Sequence, residues 1–169
     1  MTQDNSIDNV EVNKNYHESG VLWLETPYVN RVKHGIEKEY SDTGVLMWET
    51  PYVNGGIHGI VKEYYDSGEL YAEAPYVDGK KHGIEKEYYP SGALYCETPR
   101  VNGYVHGVIK YYYCDSGAVR YETPYNNGIR HGIEKSYDKD TLNINCLTLY
   151  KTNREILNLC LEGYNESSV

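Results

Sequence analysis

The sequence predicts an all-β fold: an open, elongated antiparallel sheet made of repeated β-hairpins, solenoid-like, with a C-terminal cap. Three observations predict it. A six- or seven-residue box recurs as ETPYVN at 25–30 and 49–54, EAPYVDG at 73–79, ETPRVNG at 97–103 and ETPYNNG at 122–128. A His-Gly pair follows each box, at His34, His58, His82, His106 and His131, in three steps of 24 residues and one of 25. Between these marks the side chains alternate with a period of two, as Ile36, Lys38 and Tyr40 do against Glu37 and Glu39. A period of this length describes an array whose units bury apolar surface by stacking on their neighbours.

Taken in order, residues 1–15 are a polar leader with almost no periodicity, expected to be frayed or to form one loosely attached strand. The five-fold array runs over 16–138. Each unit reads H-G-I-x-K-x-Y, a turn such as SDTG, YDSG, YPSG or CDSG, then an alternating stretch up to the box. The turn glycine suits a positive φ, which predicts a three-residue hairpin loop with a G1 bulge. Asn-Gly or Asp-Gly at 54–55, 78–79, 102–103 and 127–128 reverses the chain toward the next hairpin. Proline at 27, 51, 75, 99 and 124 falls at the far end of the second strand, where a missing amide donor matters least. The fifth unit has one extra residue before Gly117, and a bulge near Lys110–Tyr112 is expected to absorb it, with Tyr111, Tyr112 and Tyr113 as a packed or contact-forming triple. Residues 139–169 lack the motif and are expected to form the cap over 139–164, with NESSV as a loose tail.

A hairpin closed at Asp66-Ser67-Gly68 with strands of equal length sets Tyr64 opposite Leu70, Lys62 opposite Ala72 and Ile60 opposite Ala74. The other face then pairs Glu63 with Tyr71 and Val61 with Glu73. Extended to the neighbouring units, one face collects Ile36, Tyr40, Leu46 and Trp48, then Ile84, Tyr88, Leu94 and Cys96. The opposite face collects an acidic stripe in which Glu37 faces Glu49 and Glu85 faces Glu97. Carboxylates opposite each other destabilise a sheet, so a stripe of them points to contact with a partner. The solvated side of a one-layer sheet is the plainer account of the same stripe.

Composition narrows the function. The chain of 169 residues has 20 Tyr and no Phe, a bias suited to half-wet contact surfaces. A formal charge of -9 opposes phosphate backbones and anionic lipid and favours a basic partner, so neither direct nucleic-acid binding nor membrane binding is expected. The opening MTQDNSIDNVEVNKNY lacks the basic start and apolar core of a signal peptide, which leads to an expected cytoplasmic location. Cys96, Cys114, Cys146 and Cys160 form no C-x-x-C pair and ignore the repeat, and reduced structural thiols are expected. Histidines two strands apart sit ~10 Å from one another, whereas two ligands of one zinc must each approach it to ~2.1 Å, so neither a metal nor another cofactor is expected. Ser67, Ser91 and Ser116 are turn residues with no triad around them, and no enzyme activity is expected.

The pattern HGIEKEYYPSGALYCETPRVNG and its fellows, over about residues 16–137, resembles the MORN-repeat variant found in YwqK-like bacterial antitoxins. The resemblance implies an open hairpin sheet without enzyme activity that acts by protein contact, against a toxin in the antitoxin relatives. The expected function is therefore a protein-binding inhibitor, antitoxin-like, immunity-like or a phage-type anti-defence protein. It would use an acidic, tyrosine-rich face as a nucleic-acid mimic to block a basic toxin, nuclease or nucleic-acid-processing complex. Candidate contact residues are Glu49, Tyr71, Glu73, Glu85, Tyr95 and Glu97 on the central units, with Tyr28, Tyr52, Tyr76 and Tyr125 at the rim. The alternative is a structural scaffold at a membrane or cytoskeleton.

Overall fold

The computed structural model describes residues 9–160, and these carry eighteen β-strands and no helix. The first eight residues of the polar leader, the last four expected of the cap and the NESSV tail lie outside the described residues. The chain divides into two compact units, Met1–Lys80 and Lys81–Val169. The first contains β1 (Val10–Tyr16), β2 (Leu22–Val29), β3 (Val32–Lys33), β4 (Gly35–Tyr40), β5 (Leu46–Val53), β6 (Gly56–Ile57), β7 (Gly59–Tyr64) and β8 (Leu70–Val77). The two-residue β9 (Lys80–Lys81) straddles the division. The second contains β10 (Gly83–Tyr88), β11 (Leu94–Val101), β12 (Tyr104–Val105), β13 (Gly107–Tyr112), β14 (Val119–Asn126), β15 (Ile129–Arg130), β16 (Gly132–Tyr137), β17 (Ile144–Lys151) and β18 (Arg154–Cys160). The strands within each unit pair antiparallel, and among the described residues neither unit closes into a barrel.

The turns follow from their residues. In SDTG, the Gly44 amide donates to the Ser41 carbonyl and the Ser41 amide to the Val45 carbonyl, with Gly44 at φ 86°, which is the expected three-residue loop with its G1 bulge. Asn54 and Gly55, at φ 49° and 83°, make the two-residue turn between β5 and β6, where both central residues need φ above zero. The His-Gly pair and the box proline meet: the His106 amide donates to the Pro99 carbonyl at 3.0 Å, and a Cβ added to Gly107, at φ 120°, would lie 2.9 Å from Pro99 Cγ. Only glycine fits there, which ties HG to the ETP box that precedes it.

The register differs from that of an equal-length hairpin. Tyr64 does face Leu70, but Glu63 faces Ala72, Lys62 faces Glu73, Val61 faces Ala74 and Ile60 faces Pro75, because Tyr71 is an extra, bulged residue. The same bulge recurs at Trp23, Met47, Tyr95, Arg120 and Asn145. One unpaired residue shifts every later pairing by one position. Hence Glu37 faces Thr50 and not Glu49, and Glu85 faces Thr98 and not Glu97. The expected apolar face divides as well: Ile36 and Ile84 lie on the side opposite to Trp48 and Cys96, and both isoleucines are about half exposed, at 51% and 52%.

The fifth unit keeps its register. Its bulge sits at Arg120, where the other units have theirs, and β13 keeps six residues. The extra residue enlarges the loop instead: the Gly117 amide reaches back four residues to the Tyr113 carbonyl, whereas the Gly68 amide reaches back three to Tyr65. A loop takes up an insertion at less cost than a paired strand, which would have to invert its side chains.

The segment expected as a cap continues the hairpin pattern. β17 pairs with β16, β18 pairs with β17, and Thr148 faces Glu134 as the box threonine does elsewhere. Every described residue of β18 is exposed, Leu157 and Leu159 among them. Cys146 and Cys160, two of the four thiols expected to be reduced, face each other across β17 and β18 with their sulfur atoms in contact, a placement the sequence reading did not foresee. At the other end, the described part of the leader is β1, a strand paired to β2 along its whole length.

Candidate partner-binding face

In each unit the bulges sort the side chains into two faces. One is a charge ladder: Lys14, Glu25, Lys38, Glu49, Lys62 and Glu73 stand opposite one another in succession across the first unit. Lys86, Glu97, Lys110, Glu122 and Lys135 do so across the second. Lys38 Nζ lies 3.8 Å from Glu49 Oε1, and Glu122 takes Lys110 at 4.0 Å and Lys135 at 3.4 Å. Tyrosines complete the ladder, with Tyr64 donating to Glu49 at 2.8 Å, Tyr112 to Glu97 at 2.7 Å and Tyr137 to Glu122 at 2.9 Å. Burial and the Glu49 carboxylate push the Tyr64 phenol up to about 12.

Opposite the ladder lies the face of the box threonines. Thr26 and Ala74 are buried there in the first unit, and Cys96, Thr98, Ile109, Thr123 and Thr148 in the second. Glu37, Glu85 and Glu134 are paired there within the repeat, while burial and then the nearby Glu85 raise the Glu87 carboxyl. Glu37 receives Lys33 at 2.5 Å, Thr26 at 2.7 Å and Tyr52 at 3.3 Å. Burial would raise the Glu37 carboxyl, but the bonds from Lys33 and Thr26 outweigh it and hold the group below its usual range. Glu85, only 8% exposed, takes Lys81 and, at 2.8 Å, Arg100 Nε. Glu134 takes Thr123 at 2.9 Å and Arg130 at 3.7 Å.

These pairs alternate along the chain. The residue before each histidine and the residue four further on read Lys33 and Glu37, Ile57 and Val61, Lys81 and Glu85, Val105 and Ile109, Arg130 and Glu134. A charged pair is followed by an apolar pair each time. Equivalent residues in successive repeats lie ~10 Å apart, so the alternation keeps the carboxylates at this one position from being neighbours of one another.

The predicted contact residues therefore separate. Glu49, Glu73 and Glu97 are rungs of the ladder, while Glu85 is on the threonine face with its charge doubly paired. Tyr28, Tyr52, Tyr76 and Tyr125 are half-buried beside the reversing turns, Tyr52 under Lys33 Nζ at 4.7 Å and Tyr125 under Arg130 at 5.9 Å. Tyr71 and Tyr95 are bulge residues, each with an edge-on tyrosine at 5.0 Å, Tyr65 and Tyr89 respectively. Of this set, Tyr95 lines an open cavity. That cavity lies in the second unit, encloses about 370 Å³ and is bordered also by Tyr111, Tyr112, Arg120, Tyr121, Thr123, Arg130 and Glu134. The Tyr95 and Tyr111 rings meet edge-on at 5.6 Å, and burial, then the nearby Cys96 and Tyr95, push the Tyr111 phenol up to about 12. The triple separates here: Tyr111 faces the cavity, Tyr112 reaches Glu97 and Tyr113 donates to the Tyr137 carbonyl at 2.9 Å. Arg120 and Arg130 were not singled out from the sequence; the available signal was Arg120 standing where Tyr71 and Tyr95 stand in other repeats.

Bulged antiparallel hairpins with a common register, a neutralised ladder on one face and a threonine row on the other define a β-hairpin repeat scaffold. The chain belongs to the MORN-repeat-variant family, whose sequence model matches residues 12–30, 33–54, 57–78 and 81–102, together half of its length. The structure carries the same register beyond the last match, through β13 and β14. No curated protein matches the chain.

Proposed function

We propose that this scaffold is a non-catalytic binding protein that captures another protein on its threonine face, with tyrosines as the anchors. The observation that carries the proposal is the cluster of Tyr95, Tyr111 and Tyr121 around an open cavity, on a face where Glu37, Glu85 and Glu134 are engaged by its own cations. Tyrosine supplies large contact area with few rotors to freeze and suits the centre of an interface. The net charge of -9 supports a partner with a basic surface, which it would draw in at long range. In its finer form the protein is an inhibitor, antitoxin-like or anti-defence, that covers the basic groove of a toxin or nuclease. Glu49, Glu73 and Glu97 then contribute to the overall field and not to a contact stripe, since lysines flank them.

Affinity purification on the immobilised full chain, followed by reconstitution of the complex from purified components, tests this. The expected result is a stoichiometric protein complex weakened about 100-fold by Tyr95→Ala with Tyr121→Ala, and changed less than about threefold by Glu49→Gln with Glu97→Gln. Partition of the chain onto anionic vesicles at physiological salt, with no protein complex formed, would overturn it.

A further inference from the structure

The cavity in the second unit has a chemistry that the acidic balance of the chain does not suggest. Arg120 lies with its guanidinium carbon 5.0 Å from the Tyr121 ring centre and 5.6 Å from that of Tyr113, held by two aromatic faces. Among the described residues no carboxylate lies within ion-pair distance of it. Arg130, on the same lining, is already shared among Glu134 and the rings of Tyr125 and Tyr150. A stacked guanidinium keeps its planar fork of N–H donors pointed and unspent, which is the geometry for receiving a carboxylate through two parallel hydrogen bonds. The Tyr95 and Tyr121 rings offer apolar walls for the methylenes behind such a group, and their hydroxyls make no hydrogen bond to another described residue.

We propose that this cavity is a recognition pocket for a single carboxylate side chain, glutamate or aspartate, presented by a protein partner, with Arg120 as the charge acceptor and Tyr95 and Tyr121 as the walls. The inference rests on the tyrosine-bearing face being the one that meets a protein. A cationic guest is disfavoured by two guanidinium groups in one lining. A phosphate dianion is disfavoured by Glu134 on the same lining and by the net charge of -9, both of which repel two charges more than one. A partner that is basic elsewhere would thus carry one acidic residue at this point, which gives register to an interface otherwise steered by long-range attraction.

The test is a chemical-shift titration of the isotope-labelled full chain with acetyl-Gly-Gly-Glu-Gly-Gly-amide, its Gln and Lys counterparts, inorganic phosphate and phosphatidylserine vesicles. The expected result is shifts centred on Tyr95, Arg120 and Tyr121, with the Glu peptide at least about tenfold tighter than the Gln peptide. Arg120→Gln, which keeps a planar side chain, is expected to abolish that preference with an unchanged thermal melt, and Arg120→Lys to restore part of it. Equal shifts with Glu and Gln, a preference for Lys, or tighter binding of phosphate or vesicles would overturn the pocket assignment. A protein complex that depends on Tyr95 but tolerates Arg120→Gln would overturn the carboxylate pocket and leave the binding face standing. Independence from both residues would remove both.

Discussion

Lys38 stands directly opposite Glu49 across the β4–β5 hairpin, at 3.8 Å between charged atoms, in the place where strands of equal length would have set Glu37. The bulge at Met47 decides between the two arrangements, and it turns a row of like charges into a row of opposite ones. If this holds, Glu49→Lys places three lysines in succession and strips Tyr64 of its acceptor. The expected cost is about 1–2 kcal/mol by urea unfolding, shrinking with added salt. An unchanged or raised midpoint would count against the ladder.

The alternation of charged and apolar pairs predicts an asymmetric response at Ile109, which is 8% exposed opposite Thr123. Ile109→Glu alone buries a carboxylate beside Val105 and is expected to cost about 2–4 kcal/mol. Adding Val105→Lys recreates the pair that Lys81 and Glu85 make one repeat earlier and is expected to recover part of the loss. Failure of the second substitution to recover any stability would show that the pair does not act as a unit.

Deleting Cys114 converts the fifth loop to Tyr-Asp-Ser-Gly, the sequence at Tyr65–Gly68. Because the extra residue sits in the loop, stability is expected to change by less than about 1 kcal/mol, with most amide resonances retained. A strand-borne insertion would instead invert β13 or β14 on deletion, and the loss of their resonances would reveal it.

The raised phenols predict a loss of stability in alkali. Tyr64 and Tyr111 are held protonated up to about 12, above the ordinary value of 10 that they regain on unfolding. Between those values the unfolded chain binds fewer protons, so their contribution is whole below pH 10 and declines as pH rises toward 12. Ultraviolet titration at 295 nm is expected to show a late-ionising class of tyrosines, and Glu49→Gln to return Tyr64 toward the ordinary range. Ionisation of all phenols in a single step near 10 before unfolding would contradict it.

The sequence by itself determined the repeat, the hairpin, both turn types and the family, because each rests on local chemistry: a glycine at positive φ, Asn-Gly reversals and a period of two. It also held the alternation of Lys33 and Glu37 with Ile57 and Val61, legible only once the meeting of residues four apart was known. The tertiary structure decided the faces. One unpaired residue per hairpin costs little locally yet inverts every pairing beyond it, and no local preference at Tyr71 or Tyr95 marks them as unpaired. That inversion set Glu49, Glu73 and Glu97 among lysines, moved Glu85 to the threonine face, and gathered Arg120 with Tyr95, Tyr111 and Tyr121, residues that packing across neighbouring hairpins alone could assemble.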